Sequence, residues 1–363
     1  MRSRYLALVL AATLLGAGCS GGSNPDSART SGGAGSGTTD EAAARDDGLA
    51  TAATVRLGYF PNVTHAPAIV GVRQGLFAEE LGETTLETAT FNAGTDAVEA
   101  LFAGAIDMTF IGPNPAINAF AQSQGEAIRI VSGTTSGGAF LVVRPDITSI
   151  EGLAGTTLSS PSLGNTQDVA LRAWLAEQGY ETTPEGGGDV SIVPQANSQI
   201  LATFIAGEID GAWVPEPWAS RMLLEGGGFA LVDEADLWPD GAFVTTHLIV
   251  STRFLIDYPA TVKAVLRGLV RSLQFIESEP GTARETVNAD LEAITGTGVP
   301  DDVLEASWAN LTFTPDPVAA SLQESADDAV GAGLLEPVDL AGIYDLTLVN
   351  QVLSDAGLPE VGE

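Results

Sequence analysis

From about Thr54 onwards, short apolar runs alternate with amphipathic stretches, and this alternation predicts strands and helices in turn. Repeated strand–helix units indicate a mainly parallel sheet covered by helices on both faces. In the first series the predicted strands are Val55–Phe60, Thr85–Phe91, Ile106–Ile111 and Ile128–Val131, and the predicted helices are His65–Phe77, Thr95–Ala103 and Asn114–Gln122.

A second series repeats this pattern further along the chain. Its predicted strands are Phe140–Val143, Leu158–Ser160, Val190–Val193 and Gly211–Val214, and its predicted helices are Asn165–Gln178, Ser198–Ala206 and Pro217–Leu224. A third stretch begins with the predicted strand His247–Val250. Long helices are then predicted around Thr261–Glu277, Ala283–Ile294, Asp301–Ala309, Val318–Ala332 and Tyr344–Ala356.

Two segments, one in each series, share the same sequence pattern. Residues 101–107 and 203–210 both combine the end of a helix, a glycine, an Ile-Asp pair and a following apolar strand. Glycine is the residue that closes a helix through a left-handed conformation. The repeat indicates two similar α/β lobes, which agrees with a length of 363 residues, too long for one hydrophobic core.

Composition narrows the range of partners. The chain carries 47 acidic and 15 basic residues, for a formal net charge of −32. Such a surface repels nucleic acid and anionic lipid headgroups, so we expect neither as a partner. Cys19 is the only cysteine, which excludes an intrachain disulfide and a zinc site built on a cysteine pair. We expect no metal and no cofactor.

The N-terminus is organised like an export signal. Two arginines precede an apolar stretch, Tyr5–Leu15, that is too short to span a hydrocarbon core of about 30 Å. With the small residues and Cys19 that follow, it resembles a bacterial lipoprotein signal, in which residues 1–18 are removed and Cys19 carries the lipid. The alternative is an ordinary secretory signal with an incidental cysteine. Residues 19–53 are rich in Gly, Ser, Ala and Thr and predict a disordered tether.

Three ordered motifs carry a resemblance to a known family. They are Gly58-Tyr-Phe-Pro-Asn-Val-Thr-His-Ala-Pro-Ala68, Gly104-Ala-Ile-Asp-Met-Thr-Phe-Ile-Gly-Pro-Asn-Pro-Ala116 and Gly207-Glu-Ile-Asp-Gly-Ala-Trp-Val-Pro-Glu-Pro-Trp218. By their order and spacing, the chain from about Val55 to Glu277 resembles the type II periplasmic binding proteins of nitrate, sulfonate, taurine and bicarbonate importers.

The resemblance implies an α/β fold of two lobes joined by two crossover strands. Lobe I would comprise residues 54–135 and 246–363, and lobe II residues 136–245. A small oxyanion-bearing solute, such as a sulfonate, taurine or nitrate, would bind between the lobes at the carboxyl ends of the strands, and a hinge motion would close the cleft. The protein would be an extracytoplasmic monomer, held to the membrane only by its lipid, that delivers solute to the permease and ATPase of an ABC importer.

Two helix starts on the lobe I side carry candidate ligand-binding residues. Asn62 and Thr64 can cap a helix whose free N–H groups bind an anion, and His65 can donate to a bound oxygen. Asn114 lies where a buried strand runs into a helix that begins with proline. The structural alternative is that Asn62 and Thr64 are only caps and that His65 is a packed core residue.

Hydroxyl- and amide-rich turns supply further candidates. Thr134, Thr135 and Ser136 lie on the first predicted crossover, and Asn165 and Thr166 lie on a turn of lobe II. These residues can surround an oxyanion with neutral donors, or they can be ordinary turn residues. No lysine or arginine lies within these motifs, so neutral donors and helix N-termini would have to neutralise a bound anion.

The motif that ends at Trp218 places a flat apolar surface beside a carboxylate. Trp213 and Glu216 are candidates for one wall of the cleft. The alternatives are that Trp213 fills the core and that Glu216 pairs with Arg221. Because like charges repel in a low-dielectric cleft, Glu216 favours a zwitterion such as an aminosulfonate over a simple anion.

Two other functions compete with this interpretation. The Pro-Asn-x-x-His-Ala signature is also similar to binders of pyrimidine precursors of thiamine, in which tryptophans would stack on a heteroaromatic ring. An enzyme is not expected. The sequence has no cysteine cluster like that of the pyrimidine synthases on this fold, no Gly-x-Ser-x-Gly elbow and no His-Glu-x-x-His motif.

Overall fold

The computed structural model describes residues 48–363. In chain order its strands are β1 (Thr54–Tyr59), β2 (Thr85–Thr90), β3 (Met108–Ile111), β4 (Ile128–Gly137), β5 (Ala139–Val143), β6 (Thr157–Ser160), β7 (Ser191–Pro194), β8 (Gly211–Pro215), β9 (Phe229–Asp233), β10 (Val244–Ser251) and β11 (Leu311–Phe313). Its α-helices are α1 (Ala66–Arg73), α2 (Leu76–Leu81), α3 (Gly94–Phe102), α4 (Pro113–Gln122), α5 (Thr166–Glu177), α6 (Asn197–Ala206), α7 (Trp218–Leu224), α8 (Thr252–Asp257), α9 (Pro259–Ser278), α10 (Pro280–Thr295), α11 (Asp301–Ala309), α12 (Ala319–Gly331) and α13 (Thr347–Asp355).

The strands form two mixed sheets. The first has the order β11-β4-β10-β3-β1-β2, with β1 parallel to β2 and β3, and β4 and β3 both antiparallel to β10. The second has the order β7-β6-β8-β5-β9, with β6 parallel to β7 and β8, and β5 antiparallel to β8 and β9. The predicted strand–helix units supply the parallel strands. The edge strands β9 and β11 were not predicted: β11 has only three residues, and β9, although it begins with the apolar run Phe-Ala-Leu-Val, is partly exposed.

The chain passes between the two sheets twice. β4 ends at Gly137 in the first sheet and β5 begins directly after Gly138 in the second. Both glycines have a left-handed backbone, with φ of +82° and +74°, which other residues rarely adopt. The chain returns to the first sheet between β9 and β10. This is the predicted two-lobe architecture: lobe I contains the first sheet and lobe II the second.

Alternate residues of each strand pack on opposite faces of its sheet. In β10, Leu248 belongs to one buried apolar cluster and Ile249 to another, and Phe140 and Leu141 of β5 are divided in the same way. In lobe I, α1 and α9 contribute to one cluster and α4 and α12 to the other. Helices on both faces of this sheet agree with the prediction.

The two segments that share a sequence pattern, residues 101–107 and 203–210, have the same structural role in their lobes. Asp107 Oδ2 accepts a hydrogen bond from Arg56 N of β1 at 2.8 Å, and Asp210 Oδ2 accepts one from Thr157 N of β6, also at 2.8 Å. Each aspartate directly precedes the next parallel strand, β3 or β8, and the glycine that ends the preceding helix is left-handed in both segments, as predicted. These turns fasten neighbouring strands together at their amino ends, so the carboxyl ends remain available for a binding site.

The predicted signal peptide, Cys19 and most of the predicted tether 19–53 lie outside the described residues. The last residues before β1 pack on lobe I. Ala52 is buried and its N–H donates to Thr261 Oγ1 at 2.8 Å. Within residues 48–363, no helix combines the length and the apolar character needed to cross a membrane.

Candidate functional site

The carboxyl ends of the parallel strands in the two lobes face each other. Gly112 follows β3, and a Cβ atom at Gly112 would lie 2.7 Å from the hydroxyl oxygen of Thr166, the first residue of α5. Helix α12 of lobe I also packs against α5 of lobe II. The cleft therefore lies at the carboxyl ends of the strands, where open α/β sheets bind ligands.

His65, in the turn after β1, is a neutral donor. Its ring is buried and stacks on Phe60 with the centroids 4.7 Å apart. Nδ1 accepts a hydrogen bond from Phe60 N at 3.4 Å, so the ring proton of the neutral form is on Nε2. Burial lowers the pKa of His65 to about 3, which keeps the imidazole uncharged at neutral pH. His65 can thus donate one hydrogen bond without supplying a positive charge.

Two buried threonines of the crossover strand donate to backbone carbonyls of neighbouring segments. Thr135 Oγ1 donates to Thr64 O at 2.7 Å, and Thr134 Oγ1 donates to Thr246 O at 2.8 Å. The hydroxyl protons of Thr134 and Thr135 are therefore already engaged within the protein. The helix starts after β1 have no side-chain cap, so the predicted capping by Asn62 and Thr64 is not present.

Asn114 and Ser136 are buried at two other points of lobe I. Asn114 Nδ2 donates to Ser325 O at 3.1 Å, which ties the start of α4 to α12. Ser136 lines a pocket of about 620 Å³ together with Thr312 and Thr314. Ser136 lies beside β11, whereas the turn that contains His65 packs on β4 and β10, where Thr64 O accepts from Thr135 Oγ1.

On the lobe II side, Asn165 and Thr166 begin α5. Asn165 Oδ1 accepts a hydrogen bond from Gln167 N at 3.0 Å, so Asn165 is the helix cap. The Thr166 side chain lies against Gly112, which places its hydroxyl at the contact between the lobes. Of these two candidates, Thr166 is the one that the structure brings to the facing lobe.

Trp213 is a core residue in this structure. It is fully buried, its ring packs against Trp174 with the centroids 5.9 Å apart, and its Nε1 donates to Glu234 Oε2 at 2.7 Å. Burial raises the pKa of Glu234 to about 7. The structure places Trp213 in the interior of lobe II, in agreement with the alternative of core filler. Glu234 was not singled out in the sequence, because a partner distant along the chain leaves no local pattern.

Glu216 joins the two lobes through hydrogen bonds. Its fully buried carboxylate accepts from Ser220 N at 3.0 Å, from Ser220 Oγ at 2.9 Å and from Asn310 Nδ2 at 2.7 Å. Asn310 immediately precedes β11 of lobe I. Burial raises the pKa of Glu216. The expected alternative partner, Arg221, instead pairs with Glu225 at 2.7 Å.

Asn197 was missed as a sequence candidate, and Ser162 was considered only as part of the turn that carries Asn165 and Thr166. The side-chain oxygens of Ser162, which follows β6, and Asn197, which begins α6 after β7, are buried without a hydrogen-bond partner, as is Asn62 Oδ1. Ser162 belongs to the same turn as Asn165, and Asn197 begins α6 as Thr166 begins α5. The repeated strand–helix pattern is the signal that could have identified both.

Arg172 of α5 is a buried cation that pairs with Asp168, although its Nη2 has no hydrogen-bond partner. Its Nε donates to Asp168 Oδ2 at 3.0 Å. Among residues 48–363, no group of three or more His, Cys, Asp or Glu side chains is arranged to hold a metal ion.

Comparison with known proteins agrees with this architecture. The sequence model of the NMT1-like family matches residues 49–289. The chain belongs to the NMT1-like family. This membership confirms the kinship inferred from the three sequence motifs, all of which lie inside the matched region.

The NMT1-like chain has relatives among characterised binding proteins. It is 27% identical over 266 residues to the taurine-binding periplasmic protein of Escherichia coli (strain K12), a match that covers 73% of this chain and 80% of that protein. Its fold is similar to that of the periplasmic aliphatic sulphonate binding protein SsuA from Escherichia coli, with a TM-score of 0.66, 22% identity and coverage of 81% and 92% of the two chains. It is also similar to the periplasmic nitrate-binding protein NrtA from Synechocystis PCC 6803, with a TM-score of 0.71, 17% identity and coverage of 85% and 90%. The predicted two-lobe periplasmic binding protein fold is confirmed.

Proposed function

We propose that this protein is the extracytoplasmic solute-binding component of an ABC importer and that it binds a small oxyanion-bearing solute between its lobes. The observation that carries the proposal is the set of neutral hydrogen-bonding groups at facing strand ends, with the Nε2–H of His65 on lobe I and Thr166 at the start of α5 on lobe II. Helix N-termini and neutral donors are sufficient to bind anions. Relatives named for binding taurine, sulphonate and nitrate support the same chemistry.

The proposed role also implies a membrane anchor and two transporter partners. Cys19 would carry a lipid that anchors the protein outside the cytoplasm, and the monomer would pass its solute to a permease and an ATPase. Labelling with a radioactive fatty acid should mark the wild type. Equal labelling of Cys19→Ser would contradict the anchor.

The alternative of a pyrimidine ligand depended on tryptophans that could stack on its ring, and the tryptophans in question have other partners in the structure. A pyrimidine binder needs a flat aromatic surface in the cleft. Trp213 is enclosed in lobe II, and the guanidinium of Arg221 lies over the ring of Trp218 at 5.1 Å from its centroid. Pyrimidines nevertheless belong in the ligand panel, because saturable binding of a pyrimidine alone would revive this alternative.

Isothermal titration calorimetry tests the proposed function. The purified protein is titrated with alkanesulfonates, aminosulfonates, nitrate, bicarbonate and pyrimidines. For the oxyanion that binds, His65→Ala should weaken binding by about ten- to a hundredfold, because a hydrogen bond to a charged group contributes roughly 1.5–3 kcal/mol.

The second histidine provides the matched control. His247 is buried in β10, and its Nε2 lies 3.0 Å from Pro317 O. His247→Asn should therefore lower thermal stability and leave solute affinity unchanged. Unchanged affinity of a folded His65→Ala variant would contradict the assigned site, and failure of every oxyanion to bind would contradict the proposed function.

A further inference from the structure

The carbonyl oxygen of Thr64 accepts side-chain hydrogen bonds from two different strands. Thr135 Oγ1 of β4 donates to it at 2.7 Å, and Thr246 Oγ1 of β10 donates to it at 3.2 Å. A carbonyl oxygen has two lone pairs, so these two hydroxyls use its full accepting capacity. All three threonines are buried. Donors from two strands therefore fix the peptide group that joins Thr64 to His65.

These two strands are the ones through which the chain leaves lobe I and returns to it. Thr135 lies two residues before Gly137, where β4 ends, and Thr246 lies two residues after Val244, where β10 begins. The turn that contains His65 is thus bonded to both crossovers, in addition to the strand β1 that leads into it.

The pairing of β4 with β10 is irregular at this point. The register shifts on both sides of Thr246, first between Val244 and Thr246 and again between Thr246 and His247. Bulges in antiparallel pairs re-aim side chains and are frequent beside active sites. Within the irregular stretch, Thr134 Oγ1 donates to Thr246 O at 2.8 Å. Threonine hydroxyls thus supplement the ladder here, and two of them reach the Thr64 carbonyl.

The His65 ring depends on its backbone for its orientation. Phe60 stacks on the ring, but the hydrogen bond from Phe60 N to Nδ1 is long, at 3.4 Å, and so holds the ring only weakly. A binding group keeps its productive geometry when surrounding hydrogen bonds lock the residue that carries it. The fixed carbonyl of Thr64 supplies this lock directly before His65.

We propose that Thr135 and Thr246 are positioning residues for His65: they hold the Thr64 carbonyl on both crossover strands and thereby set the direction of the His65 Nε2–H. The inference rests on the proposed function, in which this N–H serves the oxyanion. Each hydroxyl proton is used within the protein, so Thr135 acts in this proposal through His65 and not on the solute itself.

Calorimetry of matched variants tests the positioning, with 2-aminoethanesulfonate, ethanesulfonate and nitrate as probes. Thr135→Val and Thr246→Val remove a hydroxyl and keep the branched shape, whereas Thr135→Ser and Thr246→Ser keep the hydroxyl. The double valine variant should bind about tenfold more weakly than the wild type, and the serine variants should bind as the wild type does. In a His65→Ala background the valine changes should cost no further affinity, because residues that act as a unit are not additive.

The His65 ring gives a readout that requires no solute. The protein has two histidines, so the NMR spectrum of His247→Asn assigns the ring signals of both. The His65 signals should shift and broaden in the double valine variant and stay in place in the double serine variant. If the double valine variant does not fold, Thr135→Val alone, which removes the shorter bond, should show the same changes with a severalfold loss of affinity.

A buried threonine at the other end of β1 is the matched control. Thr261 Oγ1 accepts from Ala52 N at 2.8 Å, before the amino end of the strand. Thr261→Val should lower thermal stability and leave affinity and the His65 signals unchanged. Unchanged His65 signals in a folded valine variant, or an equal loss of affinity with and without His65, would overturn the positioning while the proposed function stands. If none of the probes binds, the proposed function fails, and the His65 signals still decide the positioning.

Discussion

Replacement of Trp213 by phenylalanine separates a core role from a ligand-binding role for this residue. The substitution keeps an aromatic ring in lobe II and removes the indole N–H that donates to Glu234 at 2.7 Å. A hydrogen bond to a charged group contributes roughly 1.5–3 kcal/mol, so its loss beside an ionised Glu234 should lower the free energy of unfolding by about that amount. The smaller ring also leaves a cavity, whose cost does not depend on pH.

The pH dependence isolates the hydrogen-bond contribution. The pKa of Glu234 is about 7 in the folded protein, against an ordinary value of 4.5, so between these values the folded state holds a proton that the unfolded state has lost. Stability should therefore fall as the pH rises from about 4.5 to 7. Because the Trp213 hydrogen bond lowers the pKa of Glu234, Trp213→Phe raises it further. The penalty of Trp213→Phe should consequently be larger at pH 8 than at pH 5.

Urea unfolding at pH 5 and pH 8 measures this penalty in four proteins: the wild type, Trp213→Phe, Glu234→Gln and the double variant. In the Glu234→Gln background, which cannot titrate, the cost of Trp213→Phe should be the same at both pH values. Solute affinity of Trp213→Phe should match the wild type. Unchanged stability at pH 8 together with lost binding would show that the indole faces the cleft, as the sequence first suggested.

Three further perturbations test other parts of the structure. Gly133→Ala should cost roughly 1–3 kcal/mol or more in urea unfolding, because a Cβ there would overlap the carbonyl oxygen of Asp316, whereas Gly331→Ala, with nothing near it, should not destabilise. The ring protons of His65 should show no NMR titration between pH 8 and pH 5, since its pKa is about 3; a midpoint near 6.5 would contradict its burial. Solute affinity should rise as the pH falls from 7.5 to 5.5, because in this arrangement of the lobes the pKa of Asp328 is about 6, raised chiefly by burial and further by the charges of Glu324 and of Glu177 in the facing lobe; the same rise in Asp328→Asn would refute this cause.

The sequence predicted the parallel strands and most helices because their apolar periodicity is local. The strand Gly211–Pro215 shows what this local pattern cannot report. Its residues are all buried, so the pattern identifies a buried strand but not which face Trp213 occupies. The Trp213 indole donates a hydrogen bond to the carboxylate of Glu234. This partner is 21 residues away in the sequence and is brought close only by the packing of lobe II.

The candidate site was predicted in part, for the same physical reason. His65 and Thr166 were proposed because strand–turn–helix units place polar residues at strand ends, and both lie at such ends in the structure. Burial of Asn197 Oδ1 without a partner is a property of the assembled lobes, and no local pattern in the sequence reports it. Likewise, the hydroxyls of Thr134 and Thr135 look available in the sequence but donate to backbone carbonyls from distant segments.

The central claim, that solute binds between the lobes, can be tested with a reversible lock. A disulfide between Gly112→Cys and Thr166→Cys, made in a Cys19→Ser background, would tie the lobes together where a Cβ at Gly112 lies 2.7 Å from the Thr166 hydroxyl. Calorimetry with the oxyanion that binds the wild type should show saturable binding to the reduced protein, weaker than in the wild type because the Thr166 hydroxyl is lost, and none to the oxidised protein. Equal affinity in the two redox states would place the solute outside the cleft.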